Sequence, residues 1–515
     1  MIFPERRLRA ILSRIDRMLG VAAIPLMMLL AALMLRALGF VISVIDTDEG
    51  LYLVQAQAWL RGDWPLVAVW DMHPIGAPAM FAGAMAVFGE SIATIRLLGT
   101  FCVAAAATAL YGAVRAAGAP RGIAVAAGLV YVGHTLRMGG LATNTEILFA
   151  PMVVTAMALG VRGMTRTLHL GQPPGWYPLI AMGTAMGWAL AVKPVVAPEG
   201  CLAFALLVFP ALWRGVLPWR RALAMAAVYA GFCALPTVFF GLLYLLRGDF
   251  SAFLDGSFLA PFRYAEGRLG PEESIHRILV EVLTLLWPFA LAGLALQRWL
   301  ARPGPGGLLA RVGLVWFAVG SIGVAAPGFF YPHYFLIWLP SLAILAALGC
   351  WRLAHLLPPA RRAFGFGLLV VVVVVGSWRA DATARIDRGI GIFAPDPVQQ
   401  ITDMIRPELL PGESIFIANY HPVIYALTDA IVPSRFVFPA QLTGSEFTEV
   451  AGINTDAEVA RIMATKPRFV VIDRGWWPRM RASAAAIITA ALERDYEMVG
   501  SVDEERGPIE LWAPK

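Results

Sequence analysis

Apolar runs recur through most of this chain, near residues 21–43, 92–114, 122–138, 147–161, 177–192, 197–213, 222–246, 276–297, 311–327, 334–350 and 363–378. A helix of about 20 apolar residues spans the hydrocarbon core of a bilayer, so the pattern predicts about eleven crossings. No other feature constrains the fold so tightly. Inside lipid every backbone polar group must be paired within the protein, which leaves helices or closed barrels. The 515 residues are 59% hydrophobic and 15% charged, against roughly 25% charged in a soluble domain. The expected fold class is a polytopic α-helical membrane protein. The stretch 75–89 is apolar but short and contains Pro78, which suits an interfacial or re-entrant segment better than a crossing.

The net charge of +6 is not a nucleic-acid signal, because its placement follows the membrane. Arg6, Arg7, Arg9, Arg14 and Arg17 precede the first run. They predict a cytoplasmic N-terminus by the positive-inside rule. Alternating from there, the inner loops carry Arg115 and Arg121, Arg162 and Arg166, Arg214, Arg220 and Arg221, Arg298, Arg302 and Arg311, and Arg352, Arg361 and Arg362; their only acids are Glu5 and Asp16. The outer loops collect Asp46, Asp48, Glu49, Asp63, Asp71, Glu146, Glu199, Asp249, Asp255, Glu266, Glu272 and Glu273. The first run is long and lacks a small-residue cleavage pattern, so it reads as a span and not a removed signal. The expectation is a multi-pass protein of the cell inner (plasma) membrane. Cys102, Cys201, Cys233 and Cys350 lie in or at predicted spans and read as small apolar fillers.

Two domains are expected: a membrane domain over 1–379, with a first outer loop at 44–74, and an α/β domain over 380–515 outside the cytoplasm. In the latter, 413–419 and 468–475 read as strands and 456–464 and 482–494 as helices, with Asp456 a candidate cap. Residues 302–308 are Gly/Pro-rich and read as an inner loop. No internal repeat of the kind found in many transporters is present.

The unusual polar residues gather at the predicted outer face. Asp48 and Glu49 stand side by side in DTDEGLY (46–52). Residues 49–61 suit an amphipathic helix lying on the membrane, with Trp59, Trp64 and Trp70 at headgroup level. A helix-start acid pair is favoured by the helix dipole, but that accounts for one acid, and Asp71 and His73 return to the same face. A pocket with a general base is the stronger reading. Asn144 and Glu146 in LATNTEILFA (141–150) fit a helix cap and a site equally well. Lys193 in AVKPVVAPEG is the only lysine before residue 466. A lysine at a membrane edge commonly snorkels, yet on a face poor in positive charge it is a candidate phosphate ligand. Arg137 lies at that face as well. Tyr331, His333 and Tyr334 open a late span, where an aromatic belt is the plainer reading for the tyrosines. The outer loop 247–275, with Arg263 and Tyr264, is long enough to fold over a site.

On these residues the chain resembles the GT-C glycosyltransferases, in particular the protein mannosyltransferase-like and aminoarabinose-transferase-like group. The elements that carry the resemblance are the Asp48–Glu49 pair, Gly-Asp-Trp-Pro at 62–65, Asp71, His73 and Pro74, Lys193–Pro194, the Tyr331–Tyr334 segment and HPVIYALTDAIVPSRFVFP at 421–439. Each motif is short; their order and common face are the specific part. The resemblance implies transfer of a sugar, with inversion, from a polyprenyl-phosphate donor to a lipid, glycan or protein hydroxyl at the outer face. It implies Asp48 as the base and Glu49 as its support or acceptor contact. Lys193, with Arg137 or Arg263, would hold the donor phosphate. Where aminoarabinose transferases have Glu-Lys-Pro-Pro, this chain has Met72-His73-Pro74-Ile75, which argues against aminoarabinose as the sugar. No cofactor is implied. A divalent metal on Asp48, Glu49 and Glu146 is chemically open to oxygen ligands but is not expected.

Two rivals remain at this point. A transporter or flippase would place charges mid-span and show broken helices and paired repeats, whereas here polar residues collect at one end. A non-catalytic assembly subunit would tolerate loss of Asp48.

Overall fold

The computed structural model describes residues 22–387 and 396–515. The five arginines before residue 18, with Glu5 and Asp16, lie outside the described residues. The membrane part runs through α1 (Ala22–Leu35), α2 (Thr47–Leu60), α3 (Gly76–Phe88), α4 (Ile92–Ala116), α5 (Arg121–His134), α6 (Thr145–Leu170), α7 (Trp176–Val192), α8 (Ala197–Trp213) and α9 (Trp219–Arg247). It continues through α10 (Phe250–Leu254), α11 (Ala260–Glu266), α12 (Pro271–Thr284), α13 (Leu286–Trp299), α14 (Pro305–Ala325), α15 (Leu339–Ala354) and α16 (Arg362–Asp387). Among the described residues seven helices are long and apolar enough to cross a bilayer, or eight if α12 and α13 count as one. Shorter apolar helices at Ala22–Leu35, Gly76–Phe88 and Trp176–Val192 accompany them.

The bundle is built around the helix containing α15, whose apolar window is 94% buried, while α9 turns most of its surface outward with 22% buried. Small residues let α15 pack on all sides: Ser341, Ala343, Ala346, Ala347 and Gly349 are buried along it. In lipid, where apolar side chains gain little by leaving the solvent, such close backbone approach drives helix association.

Several expectations change. The run 276–297 is broken at Leu285, where α12 and α13 meet at 78°. The amphipathic helix expected over 49–61 forms as α2, but Leu51–Ala56 are buried between neighbours and do not lie open on the membrane. Trp70 is 1% exposed; its indole N–H donates to Asp255 at 3.2 Å and its ring meets Phe436. It is a core residue and no part of an aromatic belt. Glu199, placed by the arginine count in an outer loop, is buried in the first turn of α8, accepting from the Trp316 indole at 2.5 Å. Helix α16 runs on to Asp387, beyond the residue 379 boundary.

The C-terminal part holds α17 (Pro397–Ile405), α18 (Val423–Thr428), α19 (Pro439–Leu442), α20 (Thr455–Ala464) and α21 (Ala482–Asp495). Its sheet has β1 (Ile415–Ile417), β2 (Phe469–Asp473), β3 (Tyr496–Glu504) and β4 (Gly507–Pro514) in the order β1-β2-β4-β3. The two strands read from sequence, β1 and β2, pair in parallel, with Phe416 opposite Val470. Their residues are buried on both faces, although β1 is an edge strand of the sheet. The β3–β4 hairpin escaped the sequence reading: in β3 Glu497, Met498 and Val499 are exposed in succession, and the strand carries an irregularity between Met498 and Gly500, so no period-2 pattern runs through it. Helix α20 is capped by Asn454, whose side chain accepts from the Ala457 amide at 3.0 Å. Asp456, the expected cap, pairs with Arg481 instead.

Candidate active site

The site is organised by the first turn of α2. Asp46 caps that helix, its Oδ1 accepting from the Asp48 amide at 3.1 Å. Its Oδ2 lies 3.0 Å from His333 Nδ1, brought in by the 3-10 turn Pro332–Trp338 ahead of α15. Burial works against the Asp46 carboxylate, but the His333 imidazole outweighs it and holds Asp46 below the usual carboxylate range.

The surrounding acids are committed too. Glu49 is buried and receives Arg96 Nε on both oxygens at 2.7 and 2.8 Å, plus the Thr143 amide at 2.8 Å. Asp71 accepts from the Met72 amide at 2.7 Å and meets His73 Nδ1 at 2.9 Å. Glu146 takes Lys193 Nζ at 2.7 Å and the Thr145 hydroxyl at 2.9 Å. Each of these three carboxylates thus has hydrogen-bond partners for its oxygens, as buried polar groups require.

Asp48 differs. Among the described residues no hydrogen bond or ion pair holds its carboxylate, and it is half-buried. Burial and the nearby Asp46 carboxylate push its pKa up from 3.8 to about 6. A partly desolvated carboxylate titrating near the working pH and with its lone pairs unused is what general-base chemistry requires.

Lys193 follows the last residue of α7, and its ammonium also sits over the Tyr334 ring at 4.4 Å. One of its three N–H groups is used by Glu146, leaving donors for a further anion. Arg137 is half-buried on the loop between α5 and α6, and no hydrogen bond or ion pair holds its guanidinium among the described residues. Arg263 is occupied: it pairs with Asp255 at 2.8 Å and donates twice to the Val450 carbonyl, tying the outer segment to the C-terminal domain. Asn144 caps α6 through Oδ1, accepting from the Ile147 amide at 3.3 Å, while its buried Nδ2 has no partner among the described residues. The Tyr334 hydroxyl meets that of Tyr264 at 3.3 Å, and Tyr331 stacks on His333. Both expected aromatic-belt tyrosines thus line the site, Tyr334 being buried.

The structure therefore gathers Asp48, Asp71, His73, Glu146, Lys193, His333 and Tyr334 with α2, and ties Arg263 down elsewhere. Of the three carboxylates that offered oxygen ligands for a divalent ion, Glu49 and Glu146 are taken by cations. Among the described residues no group of three or more His, Cys, Asp or Glu has the arrangement to hold a metal. Three participants were missed in sequence, Asp46 among them, counted there only as an outer-loop acid. Arg96 carried a usable signal: an arginine inside an apolar run must find an acid. Tyr52 carried none; its hydroxyl reaches His73 Nδ1 at 3.5 Å only because α2 turns one face to the 71–73 segment.

No family model and no curated protein matches the chain. Solved structures do. ArnT from Cupriavidus metallidurans bound to undecaprenyl phosphate superposes with TM-score 0.58 at 16% identity, covering 96% of this chain and 98% of that one. Apo ArnT gives 0.61 at 14%, covering 97% and 98%. The archaeal oligosaccharyltransferase AglB from Archaeoglobus fulgidus, in complex with an inhibitory peptide and a dolichol-phosphate, gives 0.50 at 13% over 97% of this chain and 74% of that one. At such identities what is shared is architecture: the chain has the GT-C fold, a polytopic helical membrane domain with a C-terminal α/β domain.

Proposed function

We propose that this protein is an inverting glycosyltransferase that takes a sugar from a polyprenyl-phosphate donor and delivers it to a lipid, glycan or protein hydroxyl at the outer face of the inner membrane. The N-terminus is cytoplasmic and the C-terminal domain, from about residue 380, lies outside. The observation that carries the reading is Asp48: in a pocket where the other carboxylates are paired, it alone is uncommitted and poised to titrate near neutrality. The fold shared with ArnT and AglB supports the reaction class.

In the step, Asp48 takes the proton of the acceptor hydroxyl. The acceptor oxygen attacks the anomeric carbon from the face opposite the phosphate. The bond from that carbon to the phosphate oxygen breaks, and the lipid phosphate leaves with the electron pair. Lys193 and Arg137 stabilise the charge that develops there. Glu49 holds its place through Arg96 and supports the base by fixing α2. Asp71, His73, Asn144 and Glu146 orient donor or acceptor. The test is reconstituted transfer from a radiolabelled polyprenyl-phosphate sugar. Asp48→Asn keeps the shape and removes basicity, so turnover should fall by ~10²-fold or more. Near wild-type turnover in that variant sinks the assignment.

A further inference from the structure

The helix that carries Asp48 is gripped from one side by the C-terminal domain. The Thr47 hydroxyl lies 3.3 Å from His421 Nδ1. Gly50 abuts α18 so closely that a Cβ there would stand 3.0 Å from both the Val423 amide nitrogen and its Cβ. Gln57 Nε2 donates to the Ala426 carbonyl at 3.4 Å, and Arg61 pairs with Asp429. At 3.6 residues per turn, positions 47, 50, 57 and 61 fall within about 80° of one another around α2. Asp48 and Tyr52 fall on the opposite side by the same rule, and Glu49 on a third, where Arg96 waits. A void of only about 10 Å³ lies along this seam, lined by Asp46, Thr47, Gly50, His421 and Val423 among others. The seam is therefore close-packed at Gly50, and a few discrete contacts set its geometry.

We propose that the C-terminal domain is a clamp on α2, with His421 and Val423 as positioning residues that fix the rotation of the helix about its axis and so the direction in which Asp48 points. The inference rests on the glycosyltransferase reading for its kinetic consequence only. Helix Cα atoms lie about 2.3 Å from the axis and a carboxylate oxygen several ångströms farther, so a turn of about 10° displaces it by roughly 1 Å. A misplacement of about 1 Å can cost on the order of 10²-fold in rate. The 421–439 segment, noted in the sequence only for its resemblance, thereby acquires a physical task.

The experiment uses the full chain carrying His421→Ala with Val423→Ala, reconstituted with donor and acceptor. Expected are a kcat lower by roughly 10-fold or more with donor KM within about twofold, and amide exchange of residues 49–53 at least about 10-fold faster. The β2 amides should keep their protection, so the domain is still folded. A disulfide across the seam, from Gln57→Cys with Ala426→Cys in that background, should restore both readouts. Unchanged exchange in 49–53, a rise confined to KM, or failure of the disulfide to restore turnover overturns the clamp. If the wild-type protein transfers no lipid-linked sugar, the glycosyltransferase reading fails, while the exchange data still decide the clamp.

Discussion

Glu49→Gln separates the two adjacent acids that the sequence could not rank. Arg96 is 1% exposed, and its Nε bonds both Glu49 oxygens, while Nη1 reaches only the Gly39 carbonyl at 2.6 Å. A glutamine keeps one oxygen for Arg96 or the Thr143 amide. It turns an NH₂ toward a guanidinium that has only donors to offer, and it leaves a buried positive charge uncompensated. Breaking one partner of such a pair costs about 3–5 kcal/mol. The expected consequence is a melting temperature lower by on the order of 5–10 °C. Turnover per folded molecule, measured well below the transition, should fall less than ~10-fold, because the Glu49 oxygens are spent on Arg96 and the Thr143 amide. Replacing Arg96→Gln in the same chain should recover part of the stability, since the lone charge is removed. The assay is thermal unfolding in nanodiscs alongside single-turnover transfer on the same preparation. A Glu49→Gln protein with wild-type melting and turnover down ~100-fold would refute the reasoning and move the base one residue along.

Asp48→Asn should behave oppositely. Because the Asp48 pKa is raised from 3.8 to about 6, the folded state binds this proton more tightly than the unfolded chain, so the group costs stability as pH rises through that window. Removing it should raise stability above pH 6 by up to about 3 kcal/mol, measured as melting against pH. In the wild-type protein kcat/KM should fall about tenfold per pH unit below about 6 as the base is protonated; a flat profile from pH 7 down to 5 would contradict the assignment. Lys193→Ala should raise donor KM or lower kcat/KM by roughly 10-fold or more, and Lys193→Arg should be a poor substitute because the forked guanidinium must share a buried site with Glu146; wild-type kinetics in a folded variant would remove Lys193 from the donor site. A cysteine engineered at an exposed position in 396–515 should react with an impermeant thiol reagent on intact cells, and protection there with reaction in 214–221 would invert the topology.

Much of the membrane part was legible because its signal is local. A long apolar run has few alternatives in lipid, and the helices appear where the runs are. The break at Leu285 was not legible, because an amphipathic helix meeting a span at 78° leaves the run of apolar residues uninterrupted. In the C-terminal domain the dense strands β1 and β2 were readable, while the hairpin Tyr496–Pro514, with Asp503, Glu504, Glu505 and Arg506 around its turn, was not. At the site, Asp48, Glu146, Lys193 and His333 were all visible as polar residues at span ends.

By itself the sequence determined that the chain is polytopic, that its polar residues collect near the ends of the apolar runs, and that an acidic pair follows the first of those runs. Each follows from composition and order along the chain. Only the tertiary structure decided which member of the pair is free. Asp48 and Glu49 are neighbours in sequence, but successive helical residues point about 100° apart, so one meets Arg96 in the core and the other faces the pocket. It also decided that Lys193 shares its charge with Glu146, that Asp46 belongs to His333, and that the C-terminal domain rests on the helix bearing Asp48. Those pairings join residues as much as 374 positions apart. Ion-pair choice depends on distance and burial in space, which no local pattern encodes.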